Sequence, residues 1–419
     1  MSSEWKATTL GQICESQGGA IQTGPFGSQL HTSDYKGVGI PVVMPTNIGD
    51  GEIVEDGIAR IDQADVDRLS QHKLRLGDIV FSRRGDVTKN ALIGSREIGW
   101  FCGTGCLKVR LGNESVANAK FISYCLRQPE IKDWLIRHSV GATMPNLNTG
   151  ILSAVPIQLP PLRTQLEIAS MLGVIDDRIA LLRGTNATLE AIAQAMFKSW
   201  FIDFEPVLAK QQGRAPEGMS EATAALFPDS FEKSELGLVP KGWSVGTLQD
   251  LLVLQRGFDL PAPDRVPGNF PIIAASGPCG THRISMAKGP GVVTGRSGVL
   301  GRVFLELEDY WPLNTTLWVK EFKTATPCYA YELLCRLDFA SYNAGSAVPT
   351  LNRNHVHSLK YLIPTSACIK AYEEFAIGLH ERVKTLEQQA QTLTTLRDTL
   401  LPRLITGQLR IPDVEGVAP

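Results

Sequence analysis

The chain has 419 residues, with 41 basic and 43 acidic side chains, and 43% of its residues are hydrophobic. This length predicts two or three domains, each large enough to bury a core. The near balance of charge excludes the global positive field of a strongly basic nucleic-acid-binding protein, so any DNA-binding surface must be local.

The cysteines do not form a metal-binding pattern. Cys102 and Cys106 lie four residues apart, but no second pair at zinc spacing and no histidine cluster accompanies them. We therefore expect free, mostly buried thiols and no metal site. The first residues, MSSEWKATTLGQ, lack a basic-then-apolar signal, and no run approaches about 18 unbroken apolar residues. The sequence predicts a cytoplasmic protein without a membrane span.

The first third of the chain predicts a mixed domain that is rich in strands. Short apolar runs bounded by Gly and Pro, such as 40–44 and 77–82, are typical of strands. The segments 120–126 and 130–136 have helical spacing. The stretch 156–161, PIQLPP, predicts an extended entry into the next element, because proline disfavours helix in the residue before it.

A long coiled-coil helix is predicted from Gln165 to Phe204. Apolar residues recur there in alternating steps of three and four for about four heptads. At about 1.5 Å per residue such a helix is more than 50 Å long, so it needs a partner of similar length. The predicted seam positions are Leu172, Ile175, Ile179, Leu182, Asn186, Leu189, Ala193, Met196 and Trp200.

The partner is a second heptad segment, from Lys370 to Leu409. Its polar seam residue, Arg397, lies at a different height from Asn186 of the first seam. Polar residues at different heights favour a single register of an intramolecular pair. The seam positions of this segment are Ala376, Leu379, Val383, Leu386, Ala390, Leu393, Arg397, Leu400 and Leu404.

The chain contains an internal repeat. The second seam follows the first at an offset of 204 residues, and GATMPNLN at 141–148 recurs at the same offset as GSAVPTLN at 345–352. Trp5 and Trp243 open the two halves 238 residues apart. A polar linker with Pro and Gly separates the halves, and the second half repeats the frame of the first with a shorter middle.

Several features recur in the same order in both halves. A tryptophan near the start is followed by Thr9-Leu10 or Thr247-Leu248, a strand runs into an arginine-bearing turn, and a G-x-x-x-P-x-L-N segment precedes a short strand and the long helix. The segment between the halves is 227–243, FPDSFEKSELGLVPKGW. With this layout the chain resembles, over essentially its whole length, the specificity subunit of a type I restriction–modification system.

The resemblance implies an α+β fold: two mixed α/β target recognition domains in tandem repeat, joined by two long α-helices that form an antiparallel intramolecular coiled coil. The implied boundaries are residues 1–160 and 241–366 for the recognition domains, 161–208 and 367–411 for the spacer helices, 209–240 for the linker and 412–419 for a tail.

The resemblance also implies partners. Each recognition domain would read one half of a split, non-palindromic site on double-stranded DNA, and the helix pair would set the gap between the half-sites. Two methyltransferase (modification) subunits would dock on the helices and methylate adenine with S-adenosylmethionine, and restriction or translocase subunits are a further partner class. The chain itself would need no cofactor.

Two matching turns carry the main DNA-binding candidates. Arg83 and Arg84 follow the strand at 77–82, and Arg296 follows a strand-like run in the second half. Arginine presents a planar fork of donors that suits guanine edges or phosphates. The alternative is a surface arginine paired with a carboxylate such as Asp86. The predicted DNA-binding set is Arg83, Arg84, Lys89, Asn90, Arg296, Arg302, Arg353 and Asn354.

The two G-x-x-x-P-x-L-N segments carry further polar side chains. Asn and Thr beside Pro favour local turn bonds to the backbone, with contact to DNA as the alternative. These side chains are Thr143, Asn146 and Asn148 in the first half, and Thr350 and Asn352 in the second.

No catalytic motif is present in the sequence. There is no G-x-x-x-x-G-K-[ST] phosphate loop, and the nearest string to the Pro-Pro turn of adenine methyltransferases, Leu159-Pro160-Pro161-Leu162, lacks its polar and aromatic ends. We therefore predict a binding and assembly subunit rather than an enzyme. The competing hypothesis is a non-catalytic protein-interaction scaffold, with two ligand-binding domains on a coiled-coil strut. If these arginines face a common groove as wide as a DNA duplex, DNA binding is favoured, and if they are scattered around the molecule, the scaffold is favoured; they are Arg83, Arg84, Arg296, Arg302 and Arg353.

Overall fold

The computed structural model describes residues 5–141, 144–343 and 349–411, without the side chain of residue 340. The chain divides into two compact units. Unit 1 comprises Met1–Ala180 and Ala390–Pro419, and unit 2 comprises Leu181–Gln389. Each unit therefore contains one mixed domain and part of both long helices.

The domain in unit 1 packs short helices against sheets that are mainly antiparallel, with parallel pairs between β4 and β9 and between β5 and β8. Its strands are β1 Lys6–Thr9, β2 Gly18–Thr23, β3 Tyr35–Lys36, β4 Ile40–Val43, β5 Asp50–Gly51, β6 Ala59–Ile61, β7 Ile79–Ser82, β8 Asn90–Leu92, β9 Phe101–Cys102, β10 Cys106–Gly112 and β11 Pro156–Leu159. Its helices are α1 Leu10–Ser16, α2 Gln63–Arg68, α3 Ala119–Leu126, α4 Pro129–His138 and α5 Thr149–Ser153. The strand orders are β2-β10-β7-β8-β5, β3-β6-β4-β9 and β1-β11.

The first long helix and the segment after it connect to the second domain. These elements are α6 Leu162–Phe201, α7 Glu205–Gln211, α8 Glu221–Ala225, β12 Phe231–Ser234 and β13 Gly237–Pro240. The second domain contains β14 Ser244–Thr247, α9 Leu248–Leu251, β15 Leu252–Arg256, β16 Phe270–Ala274, β17 Gly277–His282, β18 Gly291–Gly295, β19 Val303–Glu306, β20 Trp311–Pro312, β21 Thr316–Phe322, α10 Pro327–Cys335, α11 Arg353–His357 and β22 Lys360–Ile363. The second long helix, α12, is Ser366–Ile405.

The strand register confirms the tandem repeat. Lys6 of β1 lies opposite Leu159 of β11, and Ser244 of β14 lies opposite Ile363 of β22. These pairs reproduce the offsets of 238 and 204 residues found in the sequence. The order β2-β10-β7-β8 in unit 1 corresponds to β15-β21-β18-β19 in unit 2. Both long helices also begin and end at the same offset of 204 residues.

The segment between the halves is more structured than its polar composition predicts. The first long helix ends at Phe201, before the predicted residue 208. Phe204 takes a left-handed backbone conformation, with φ of 54°. A new helix, α7, begins at Glu205, and Pro206 lies in its first turn. Val207 and Phe227 are buried in the core of unit 2. The linker therefore forms part of that core.

Within unit 2 the two long helices run antiparallel. The Asn186 side-chain amide donates to the Val383 carbonyl at 3.2 Å, and the Tyr372 hydroxyl donates to the Ala193 carbonyl at 3.0 Å. A later residue of α6 thus meets an earlier residue of α12, as the predicted coiled coil requires. All predicted seam residues, in both units, are buried or half-buried.

The aromatic residues at the end of α6 belong to the core of unit 2. Phe197 and Phe201 are buried, and their rings lie 5.2 and 5.0 Å from that of Tyr329. Phe204 is partly buried against the same core. These aromatic side chains therefore pack on the mixed domain of unit 2.

The cysteines are free and mostly buried, as expected. Cys279 and Cys335 are the exposed ones, and the other six are buried. Cys102 and Cys106 lie in the core of unit 1, where burial raises the pKa of both thiols. Among the described residues, no helix is both long and apolar enough to cross a membrane.

Within unit 1 an ionic network joins three helices. The Asp176 carboxylate of α6 accepts from Arg397 of α12 at 2.8 Å, from the Tyr124 hydroxyl of α3 at 2.7 Å and from Arg127 at 3.4 Å. Burial alone would raise the pKa of this carboxyl, but the hydrogen bonds from Arg397 and Tyr124 and the nearby positive charges outweigh it and lower the pKa. The carboxylate is therefore held ionised between the helices.

We expect replacement of Arg397 by Met to destabilise unit 1 by about 2–3 kcal/mol near pH 7, because a largely buried carboxylate loses its main partner. The folded-state pKa of Asp176 is depressed, so its stabilisation is present above the unfolded value and is lost as the pH falls through the folded value. The difference between wild type and R397M should therefore shrink below about pH 4. Urea unfolding at pH 7 and pH 3.5 measures it.

The control is Arg382→Met, which removes an exposed arginine from the same helix. That variant should change the free energy of unfolding by no more than about 0.5 kcal/mol at either pH. An R397M protein as stable as wild type at pH 7 would show that the network contributes nothing net.

Candidate nucleic-acid interface

Two equivalent hairpins carry the predicted arginines. In unit 1 the turn between β7 and β8 is closed by a bond from the Ser82 amide to the Lys89 carbonyl at 3.2 Å. In unit 2 the turn between β18 and β19 is closed by a bond from the Gly295 amide to the Arg302 carbonyl, also at 3.2 Å. Each hairpin therefore carries a cation at both ends of its turn, because Arg83 and Arg296 follow the first residue of each pair.

A second segment docks on each hairpin in the same way. The Leu147 amide donates to the Arg83 carbonyl at 2.9 Å, and the Leu351 amide donates to the Arg296 carbonyl at 2.8 Å. Both leucines are buried and anchor the G-x-x-x-P-x-L-N segments in the two cores. The structure thus brings together, in each unit, the two motifs that the sequence placed about 60 residues apart.

In unit 1 the two arginines differ in their surroundings. Arg83 is half-buried; its Nε donates to the Asn146 side chain at 3.3 Å, and its guanidinium lies 6.0 Å from the Phe26 ring centre. Arg84 is exposed. The Asp86 carboxylate accepts from the amide and hydroxyl of Thr88, and no ion pair to either arginine occurs among the described residues. Arg84 is therefore presented to solvent.

In unit 2 the cations surround the equivalent turn. Arg296 is half-buried, and its Nη1 approaches the Asn314 carbonyl at 3.4 Å. Arg302 is exposed and donates to the Ser276 carbonyl at 2.9 Å. Arg353 and Asn354 are exposed in the first turn of α11, which directly follows the segment docked on the hairpin. The predicted residues of this half thus lie on the hairpin and on the helix that follows the segment docked on it.

One predicted contact is wrong. Asn90 is fully buried in β8, and its amide donates to the Leu126 carbonyl at 3.4 Å. It joins the sheet to α3 and cannot reach DNA. Lys89, its neighbour, is exposed and remains a candidate. Thr143 lies outside the described residues.

The remaining polar side chains of the G-x-x-x-P-x-L-N segments make local bonds. Asn148 caps α5 through the Ile151 amide at 2.8 Å, and Asn352 caps α11 through the Asn354 amide at 3.0 Å. The favoured alternative, turn formation, therefore describes both asparagines. Thr350 is half-buried.

Sequence inspection missed Phe26. This ring is 55% exposed and lies beside Arg83 in the loop after β2. The sequence contains a signal for this loop, because a glycine followed closely by a phenylalanine comes directly after a strand in both halves. Gly24 precedes Phe26 after β2, and Gly257 precedes Phe258 after β15. A Cβ atom at either glycine would lie about 2 Å from a backbone carbonyl oxygen, so both positions require glycine.

Comparison with known proteins agrees with this arrangement. Residues 2–191 match the family described as type I restriction modification DNA specificity domain. The first half of the chain therefore resembles a type I restriction–modification DNA specificity domain. The whole chain is 23% identical to the type I restriction enzyme MjaIX specificity subunit of Methanocaldococcus jannaschii, across 98% of this chain and 95% of that protein.

A second relative and a solved structure match nearly the whole of this chain. The HindI specificity subunit of Haemophilus influenzae is 22% identical over 97% of this chain and all of that protein. The crystal structure of the S subunit from M. genitalium shares the fold, with a TM-score of 0.60, 16% identity and 96% coverage of both chains.

Proposed function

We propose that this chain is the DNA sequence-recognition subunit of a type I restriction–modification complex and that it binds a split, non-palindromic site. The observation that carries the proposal is the duplicated arginine hairpin, closed and docked by the same backbone bonds in both units. Two copies of one reading element on one chain suit a site with two parts.

The two hairpins differ in the residues that they present. The turn of unit 1 carries Arg83-Arg84-Gly85-Asp86, whereas that of unit 2 carries Arg296-Ser297-Gly298-Val299. Side chains with different donors read different base edges in the major groove. The two half-sites are therefore expected to differ, which makes the whole site non-palindromic.

The grouping of cations within each unit favours DNA over the scaffold hypothesis. In unit 1, Arg83, Arg84 and Lys89 lie on one hairpin. In unit 2, Arg353 directly follows the G-x-x-x-P-x-L-N segment, which docks on the hairpin that carries Arg296. A local basic surface is what a chain of balanced charge needs for phosphate contact.

The decisive experiment is co-expression with the methyltransferase subunit encoded beside it, followed by single-molecule mapping of methylated adenine on random DNA. We expect two short defined blocks around an unspecified gap, in step with two recognition domains. A stable complex whose methylation ignores sequence would move the assignment to the scaffold. The matched control is the methyltransferase expressed without this chain.

Single substitutions then separate base contacts from phosphate contacts. If Arg83 or Arg296 reads a base, its replacement by Ala should cost about 1–3 kcal/mol and relax one position of one half-site. If it contacts phosphate, binding to all sequences should weaken alike and the salt slope should fall. Arg137→Ala, which removes a surface arginine with a side chain 75% exposed, is the control. Unchanged maps and unchanged salt dependence would exclude both hairpins from the interface.

An exposed apolar face on α6 supports the docking of methyltransferase subunits. Leu166 and Val174, both in unit 1, are 49% and 67% exposed, and the step of 8 residues places them within about 80° of one another around the helix. Exposed apolar side chains on one side of a helix suit a protein–protein contact.

We expect Val174→Glu to reduce recovery of the methyltransferase complex at least tenfold, because a carboxylate would be buried in an apolar contact. Ala180→Glu, an exposed residue off this face, should leave recovery unchanged. Size-exclusion chromatography of the co-expressed subunits measures both. Equal recovery of both variants would place the docking surface elsewhere.

A further inference from the structure

In unit 2 the core is completed by an aromatic side chain from the linker. Phe227 is 2% exposed, and its ring lies 5.3 Å from Trp200 and 6.4 Å from Trp243. The backbone around it is also held, since the Cys368 thiol donates to the Leu226 carbonyl at 3.3 Å. The turn that follows α8 is thus anchored by one buried ring and by a hydrogen bond to its backbone.

The repeat places the same wall residues in unit 1. At the offset of 204, Trp200 corresponds to Leu404 and Cys368 to Thr164, and at the offset of 238, Trp243 corresponds to Trp5. All three counterparts line a cavity of about 990 Å³. The residues around Phe227 in unit 2 therefore have counterparts in unit 1, and these counterparts line the cavity.

Other walls of the cavity are suited to a peptide. Ile168, Ile405 and Leu409 supply apolar surface, and the Thr164 hydroxyl can donate to a carbonyl as the Cys368 thiol does. The Gln128 and Gln158 side chains add amides that can donate to or accept from a backbone. An apolar pocket with a few polar groups is the usual form of a binding site.

The residues that line this cavity include no counterpart of Phe227. The described residues after α12, 406–411, themselves contribute to the lining. Residues 406–419, TGQLRIPDVEGVAP, contain no Phe, Tyr or Trp. A segment of another chain can therefore supply the ring that Phe227 supplies in unit 2.

We propose that this cavity, lined by Trp5, Thr164, Ile168, Leu404, Ile405 and Leu409, binds an aromatic-anchored peptide segment of the methyltransferase subunit. This rests on the proposed function. Thr164 and Ile168 lie in the first turns of α6, beside Leu166, where the exposed apolar face of that helix begins. One partner that covers this face can therefore also reach the cavity.

The chemistry is tested with the full-length chain and a fluorescein-labelled synthetic peptide of residues 220–230, SEATAALFPDS, followed by fluorescence polarisation. The unlabelled peptide should compete, and the same peptide with Phe227 replaced by Ala should compete at least tenfold less well. Thr164→Arg in the protein should weaken binding at least tenfold by occupying the mouth of the cavity. Ser170→Arg, at an exposed position of the next turns that does not line the cavity, should bind the peptide as wild type does. Absence of binding to a protein with a wild-type melting temperature overturns the proposal.

The source of the occupant is tested by a photo-crosslinking amino acid at position 164 in the co-expressed complex. The expected product joins this chain to an aromatic-containing segment of the methyltransferase subunit, identified by mass spectrometry of the digest. A crosslink to a second copy of this chain, or to no protein, overturns the assignment. If methylation maps to a split site while the crosslink fails, only this inference falls; methylation that ignores sequence removes the proposed function whatever the crosslink shows.

Discussion

The fold of unit 1 depends on one carboxylate. Asp176 is hydrogen-bonded to Arg397, Tyr124 and Arg127. It therefore joins the two long helices to α3 of the mixed domain. The heptad seam brings the helices together, but apolar contacts tolerate a shift by one turn far better than a charge does. A slip would leave a largely buried carboxylate without its partners, which is costly. The network therefore specifies one register for residues more than 200 positions apart in the chain.

Unit 2 builds the same helix pair with different chemistry. At the positions that correspond to Asp176 and Arg397 it has His380 and Ala193. The Tyr372 hydroxyl bonds to the Ala193 carbonyl, and burial lowers the pKa of His380, whose ring lies 5.4 Å from that of Tyr331. A neutral imidazole against an aromatic ring thus stands where unit 1 has an ion pair. The helix frame requires an apolar seam and some polar link across it, but not a particular one.

This division explains what sequence could and could not predict. The seam, the repeat and the arginine turns follow local periods and offsets, so they were predictable from spacing alone. Asn90 was misassigned because β8 is a short strand buried on both faces, where a polar residue gives no sign of its orientation. The core position of Phe227 was missed because the polar composition of the linker gives no sign that this side chain is buried. The hydrogen bonds from Leu147 to Arg83 and from Leu351 to Arg296 join backbone atoms. The residue types in the sequence therefore do not indicate them.

Those backbone bonds also bear on how such a site could diversify. The Leu147 and Leu351 amides hold the carbonyls of Arg83 and Arg296, so the position of each turn does not depend on the side chain that it presents. The buried leucines fix the frame, and the exposed residues of the turn are left to vary at little cost in stability. A base-reading side chain could then change without a change in fold. This separation of backbone support from side-chain contact is what a duplicated recognition element needs if its two copies are to read different sequences.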